Sequence, residues 1–206
     1  MATDKRNELL TTYTTDVHAL ISHGLTTIER QVSNLEKVSH VEAKNAVSDF
    51  ARVLRGQKTF IEARITALGG KATQPVKDAV SAIAGVAAGV INAVRPSETA
   101  KSIRDDHTYF SHLGVSWLML HTTALALGDI ETATIAERGY SETARCIMHI
   151  DKILPRLVIE ELRESLPVAN VGEQTRTMVM MAWNREAPTF GAPTGQGVEA
   201  RRTTAS

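Results

Sequence analysis

The stretch between Asp105 and Ile135 constrains the fold of this chain most strongly, because one long helical pattern stops at Gly128 and a second begins at Asp129. Glycine ends many helices in the left-handed conformation, and aspartate caps the first free N–H groups of a following helix. Since no loop separates the two patterns, the second helix has to turn back antiparallel to the first. The junction therefore predicts a helical hairpin and an all-α fold.

Composition limits the classes of function. The chain has 206 residues, of which 43% are hydrophobic and 22% charged, which is enough apolar material for one domain with a sizeable core. Its 23 basic and 23 acidic residues leave no net charge, so neither nucleic acid nor an anionic membrane is a favoured partner. With a single cysteine, Cys146, and no apolar signal-peptide core near the N-terminus, the sequence predicts a reducing, cytoplasmic location.

Apolar residues recur at helical spacing in four long segments. Ser39 and Glu42 have the S-x-x-E spacing of a capping box, which predicts the start of the second helix, and Gly69 predicts its end. Pro155 predicts a kink in the last helix. The four predicted helices cover about residues 4–38, 40–68, 98–127 and 130–166.

A shorter apolar segment, residues 76–94, lies between the two helical hairpins and contains Gly85 and Gly89 in a G-x-x-x-G spacing. Its charge-free part has about 16 residues, fewer than the roughly 20 that a helix needs to cross a bilayer. Small residues also let two helices approach closely inside a protein. We therefore predict a short helix that packs internally or against another copy, and we disfavour membrane contact.

The helical pattern ends near Pro167, which divides the chain into a helical domain over residues 1–167 and a tail over residues 168–206. Gly, Pro, Thr and Ala dominate the tail, so we expect it to be mostly irregular or disordered. Residues 178–183, MVMMAW, are its one markedly apolar run. Two roles stay open for this run: it covers one end of the chain's own core, or it binds a protein partner.

The helical layout, together with ITALGG at the end of the second helix and LMLHTTALALGDIETA at the last hairpin, resembles the ferritin-like bundles. Among these, the chain is most similar to the bacterial stress-associated Yci-type family and its uncharacterised relatives. The similarity covers about residues 5–165 and rests on layout and hairpin residues. It implies an antiparallel four-helix bundle with a short extra helix between the hairpins and a flexible C-terminal tail.

Di-iron members of that superfamily take a carboxylate from each of two helices and a Glu-x-x-His pair from each of the other two. No glutamate of this chain has a histidine three residues later. The resemblance places Glu142 where a ligand would stand, Arg145 where the histidine would stand, and Gln57 near a ligand level. Because arginine cannot bind a cation, we expect Arg145 to pair with Glu142, so that a polar or ionic network replaces the metal site.

A divergent site is the alternative. Carboxylates and imidazoles on the predicted helices would form it if they converged, and it would hold iron or manganese. The candidate ligands are Glu29, Glu62, His121, Glu142 and His149. For Gln57 and His121, which lie near the apolar seams, a buried polar contact is the more economical interpretation.

No motif for nucleotide binding or nucleophilic catalysis occurs, so we predict no catalytic residue and no cofactor. Cys146 lies inside a helix, where a structural cysteine is the default interpretation. We therefore favour a non-enzymatic ferritin-like protein with a stress-associated or scaffold role that self-associates through helix faces. The alternative is a metal-dependent oxidoreductase or metal-storage protein with the divergent site.

Overall fold

The structure, a computed structural model, describes residues 2–35, 40–71 and 99–184. These residues form five helices and no strand, which confirms the predicted all-α class. Ser39 and the predicted short helix over 76–94, with its glycine pair, lie outside the described residues. The helices are α1 (Ala2–Leu35), α2 (Val41–Ala67), α3 (Thr99–Ala126), α4 (Ile130–Arg163) and α5 (Gly172–Trp183).

The predicted junction between α3 and α4 is confirmed in detail. Gly128 has a φ of 70°, and the N–H of Asp129 donates back to the carbonyl of Ala124 at 2.8 Å. This closes α3 with the hydrogen bond of a Schellman motif. The Asp129 carboxylate then accepts from the N–H of Thr132 at 2.9 Å and caps α4. Two successive local signals therefore produce the hairpin.

The four long helices pack around a shared apolar core. α1 contacts α2 and α3, and α4 contacts the same two helices. Contacts near both ends, Arg6 with Leu127 and Gln31 with Asp106, show that α1 and α3 run antiparallel. The core contains buried residues from all four helices, and its largest fully buried side chains are Trp117, Phe50 and Phe110. Among the described residues, no helix combines the length and the hydropathy that crossing a membrane requires.

Two ends of helices differ from the sequence prediction. At the start of α2 the capping position is His40, and its side chain makes no capping hydrogen bond. Part of the tail that was predicted to be mostly irregular is helical, since residues Gly172–Trp183 form α5, which packs against α4. Residues 185–206 lie outside the described residues. The indole of Trp183 donates to Asp151 on α4 at 3.0 Å, and His107 on α3 approaches the same carboxylate at 3.3 Å. The sequence indicates α5 only weakly, and the long-range contact of Trp183 with Asp151 holds the C-terminal end of this helix.

A buried arginine fixes the end of α2 against the start of α4. The Arg64 side chain is 8% exposed, and its guanidinium contacts Asp129 at 2.6 Å and the hydroxyl of Thr132 at 2.7 Å. Glu131 forms a second ion pair with the same group. Burial raises the pKa of Asp129, but the Thr132 N–H and the Arg64 guanidinium outweigh it, and the pKa is lowered overall. This cluster sets the register in which α2 and α4 face each other.

Candidate functional site

A polar layer lies in the middle of the four long helices, at the level where the resemblance placed Gln57. The Gln57 side chain is fully buried, and its amide nitrogen donates to the Gly139 carbonyl at 3.1 Å and the Thr143 hydroxyl at 3.2 Å. Its amide oxygen is buried without a partner among the described residues. The predicted buried polar contact of Gln57 is therefore confirmed.

Trp117 of α3 fills the space beside this layer. A Cβ atom on Gly139 would lie 2.3 Å from Cε2 of the Trp117 ring, so only glycine permits this approach of α3 to α4. The indole also packs against Phe60 of α2, with ring centroids 5.8 Å apart. Its N–H is buried with no partner in the described part of the chain. An indole, an amide and a hydroxyl thus occupy the centre.

The five candidate ligands of the divergent metal site do not converge. Glu29 pairs with Arg55 at 2.7 Å, and Glu62 approaches His18 at 3.0 Å; both pairs join α1 to α2. His121 lies half-buried on α3. The remaining two, Glu142 and His149, line one groove on α4. Within residues 2–35, 40–71 and 99–184, no three His, Cys, Asp or Glu side chains are grouped to hold a metal ion.

The predicted pairing of Glu142 with Arg145 was wrong. Glu142 accepts from Arg138, one turn earlier, at 2.9 Å. The Arg138 guanidinium lies 4.7 Å from the ring centroid of Phe60 on α2, so a cation–π contact holds it beside Glu142. Arg145 has no ion pair or hydrogen bond among the described residues. It is Thr143 and not Glu142 that faces Gln57 in the centre.

A groove runs between residues 49–56 of α2 and residues 138–149 of α4, and we call it the α2–α4 groove. It has a volume of about 440 Å³. Phe50, Val53 and Cys146 provide apolar surface, whereas arginines from both helices and two carboxylates provide the polar surface. His149 packs edge-on against Phe50, with ring centroids 5.9 Å apart. The groove thus combines an apolar base with a charged rim.

The environment of the Cys146 thiol, at the base of the groove, makes this thiol a poor nucleophile. Burial, reinforced by the nearby Glu142 carboxylate, raises its pKa to about 12, although Arg145 opposes the shift. The thiol therefore stays protonated at neutral pH, and the protonated form is a poor nucleophile. This environment favours the structural interpretation of Cys146.

A second buried polar cluster lies between α1 and α3. The amide nitrogen of Gln31 donates to Asp106 at 2.9 Å and to Ser102 at 2.7 Å. Burial raises the pKa of Asp106 well above its ordinary value, more than the Gln31 hydrogen bond lowers it. The helical spacing of Asp106 between Ile103 and Phe110 on the apolar stripe was a signal of this burial.

Comparison with known proteins supports the fold and no particular chemistry. No protein-family model matches the sequence, and no curated protein matches it. The solved structure of protein XCC3681 from Xanthomonas campestris pv. campestris is similar, with a TM-score of 0.63 over 79% of this chain and 99% of that chain. The two sequences are 17% identical in this alignment, so the likeness concerns the fold alone. The chain is therefore an all-helical protein that shares its helical arrangement with XCC3681.

Proposed function

We propose that this chain is a non-enzymatic ferritin-like four-helix bundle that acts as a scaffold or interaction protein, of the stress-associated kind that its resemblance suggests. The packing of Trp117 against Gly139, beside the buried Gln57 amide, carries this proposal. A di-iron centre needs inward-facing carboxylates and imidazoles, which bind hard metal ions. The central residues supply an amide, a hydroxyl and an indole, and this donor set does not fit iron or manganese.

Self-association is the second part of the proposal, and one surface of α3 supports it. Val115, Leu118, Met119 and Leu125 share a helical face, and each is 50–57% exposed. We call this surface the α3 stripe. Residues 107–128 contain no Asp, Glu, Lys or Arg, so nothing in the stripe carries a fixed charge.

A second copy of the chain fits the α3 stripe best. A two-fold interface brings the same surface of both copies together, so like charges would face each other, and a charge-free stripe avoids this repulsion. The exposed halves of its four side chains amount to roughly 400 Å² per copy, about half of what one partner of a standard interface buries. The polar residues around the stripe would supply the rest. Residues 178–183, where Met178, Met181 and Trp183 are exposed, are the surface that the proposal assigns to a protein partner.

Metal analysis tests the non-enzymatic assignment. The protein is produced in medium supplemented with iron and manganese and purified without chelators, together with the Glu142→Ala variant. We expect background metal in both proteins, because no described cluster of donors is available to retain an ion. Stoichiometric iron or manganese in the parent, lost in Glu142→Ala, would favour the divergent metal site instead.

Sedimentation velocity tests the self-association. We expect a dimer for the parent protein and a monomer for Leu118→Lys. Each copy would place a lysine in the centre of the stripe, and the two positive charges would repel each other across the two-fold interface. Thr59→Lys is the matched control, since Thr59 is an exposed residue of α2 and lies outside the α3 stripe. A parent that is monomeric, or a Leu118→Lys variant that stays dimeric, contradicts the assignment of the stripe.

A further inference from the structure

Two of the arginines that line the α2–α4 groove come from different helices. Arg52 belongs to α2 and Arg145 to α4, and both act electrostatically on the Cys146 thiol at the base between them. Arg145 has no polar partner within the described ranges. Arg52 pairs with Asp49 on its own helix, where both side chains are more than half exposed. Because such an exposed pair is weak, both guanidiniums are available to an anion in the groove.

Gly56 keeps the α2 side of the groove open. A Cβ atom at this position would meet no other atom within 4 Å, so close packing does not require glycine here. Glycine in the interior of a helix is nevertheless less stable than alanine. The open space above Gly56 belongs to the groove, whose volume of about 440 Å³ lies within the range of small-molecule sites.

The base of the groove suits an apolar group. Phe50 is buried there, and the raised pKa of Cys146 keeps the thiol neutral. The two carboxylates of the rim are already held by arginines, Asp49 by Arg52 and Glu142 by Arg138. Three arginines against two carboxylates leave the rim with a net positive charge. The groove therefore offers a neutral base and a cationic rim.

From this geometry we infer that the α2–α4 groove binds a small organic anion, a carboxylate or a phosphate monoester with a compact apolar group. The anionic group lies between Arg52 and Arg145, and the apolar group lies over Phe50 and Cys146. Guanidinium groups hold both kinds of anion through paired N–H donors. This binding site is independent of the central packing and of the α3 stripe, so it stands or falls separately from the proposed function.

Isothermal titration calorimetry of the full chain with two probes, phenyl phosphate and phenylacetate, tests the inference. We expect one binding site per chain with a Kd below about 1 mM for at least one probe, and the tighter probe identifies the anionic group. Inorganic phosphate and benzyl alcohol each lack one half of the ligand, and both should bind at least about tenfold more weakly.

Two variants locate the site, each with a matched control. Arg145→Ala should raise the Kd about tenfold or more, because it removes a charge-assisted hydrogen bond, whereas Arg30→Ala, on an exposed position of α1, should leave the Kd unchanged. Gly56→Leu should abolish binding by filling the groove, and Ala63→Leu, on an exposed position of α2 outside the groove, should not. Circular dichroism establishes that each variant is folded.

Three results would overturn the inference. The first is no binding of either probe at about 5 mM. The second is binding that persists unchanged in both Arg145→Ala and Gly56→Leu, since the probe would then lie elsewhere. The third is binding of inorganic phosphate as tight as that of phenyl phosphate, which would show that the apolar base contributes nothing.

Discussion

Replacing Gly139 by alanine tests how tightly the centre of the helices is packed. The new methyl group would lie 2.3 Å from Cε2 and 2.5 Å from Cδ2 of Trp117, and this ring is fully buried. The indole is rigid and has no free space to enter, so α3 and α4 have to move apart. An extra methyl group in a well-packed core costs about 1–3 kcal/mol. Alanine gains about 1 kcal/mol over glycine in a helix, which offsets part of this cost.

Gly114 provides the matched control, because it is also buried and lies on α3 facing α4. A Cβ atom there would lie 3.7 Å from Cγ2 of Thr143, an ordinary van der Waals distance. Both substitutions gain the same helix propensity, so the difference between their free energies of unfolding isolates the clash with Trp117. We expect Gly114→Ala to stabilise the protein by up to about 1 kcal/mol. Gly139→Ala should be less stable than Gly114→Ala by about 1–3 kcal/mol.

Urea denaturation followed by far-ultraviolet circular dichroism measures both free energies, and equal m-values establish that the comparison is valid. A double-mutant cycle with Trp117→Leu identifies the clashing partner. Leucine leaves room for the methyl group, so we expect a coupling of at least about 1 kcal/mol between positions 117 and 139. If Gly139→Ala and Gly114→Ala differ by less than about 0.5 kcal/mol, the indole does not fill the centre.

Three further predictions concern titratable groups. The pKa of Asp106 is raised in the fold, so ionisation of its carboxyl destabilises the fold. Asp106→Asn should therefore increase the free energy of unfolding more at pH 8 than at pH 5, and Asp49→Asn, at an exposed position of α2, should not. The pKa of Asp129 is lowered, so its contribution to stability is complete above the unfolded pKa and disappears as the pH falls through the folded pKa. Arg64→Ala should cost about 3–5 kcal/mol at pH 7 in chemical denaturation, and the cost should decrease as acid protonates the carboxylate. Because burial raises the pKa of Cys146 to about 12, its reaction with a disulfide reagent at pH 8 should be at least about tenfold slower in the folded than in the unfolded protein. An equally fast reaction of the folded thiol would contradict its placement.

The parts of the fold that depend on local chemistry were predictable from the sequence. The Gly128–Asp129 junction was one, because a left-handed glycine and a capping carboxylate form hydrogen bonds only with groups a few residues away along the chain. The burial of Gln57 was another, since its position on the apolar seam of the second helix puts its side chain inside. The first inference required the types of two adjacent residues, and the second required helical periodicity.

Contacts that depend on the register between helices were not predictable. Glu142 has an arginine at position 138 and another at position 145, and helical spacing permits a pair with either. The choice is made by Phe60 of α2, whose ring holds the Arg138 guanidinium. The α2–α4 groove depends on the same register, because it requires Gly56 to lie opposite a particular stretch of α4. Periodicity along one helix carries no information about that alignment.

The two tryptophans of the chain, Trp117 and Trp183, can report whether a metal ion binds in the centre of the four long helices. In a ¹H–¹⁵N spectrum each indole N–H gives one signal, and Trp183→Phe assigns them. Paramagnetic Mn²⁺ broadens signals near its binding site, so the buried Trp117 signal reports directly on the centre, and the exposed Trp183 signal controls for binding at the surface. We predict that the Trp117 signal keeps its full intensity at one equivalent of Mn²⁺. Selective loss of the Trp117 signal, with Trp183 unaffected, would place a metal ion among the four helices and contradict the packed centre.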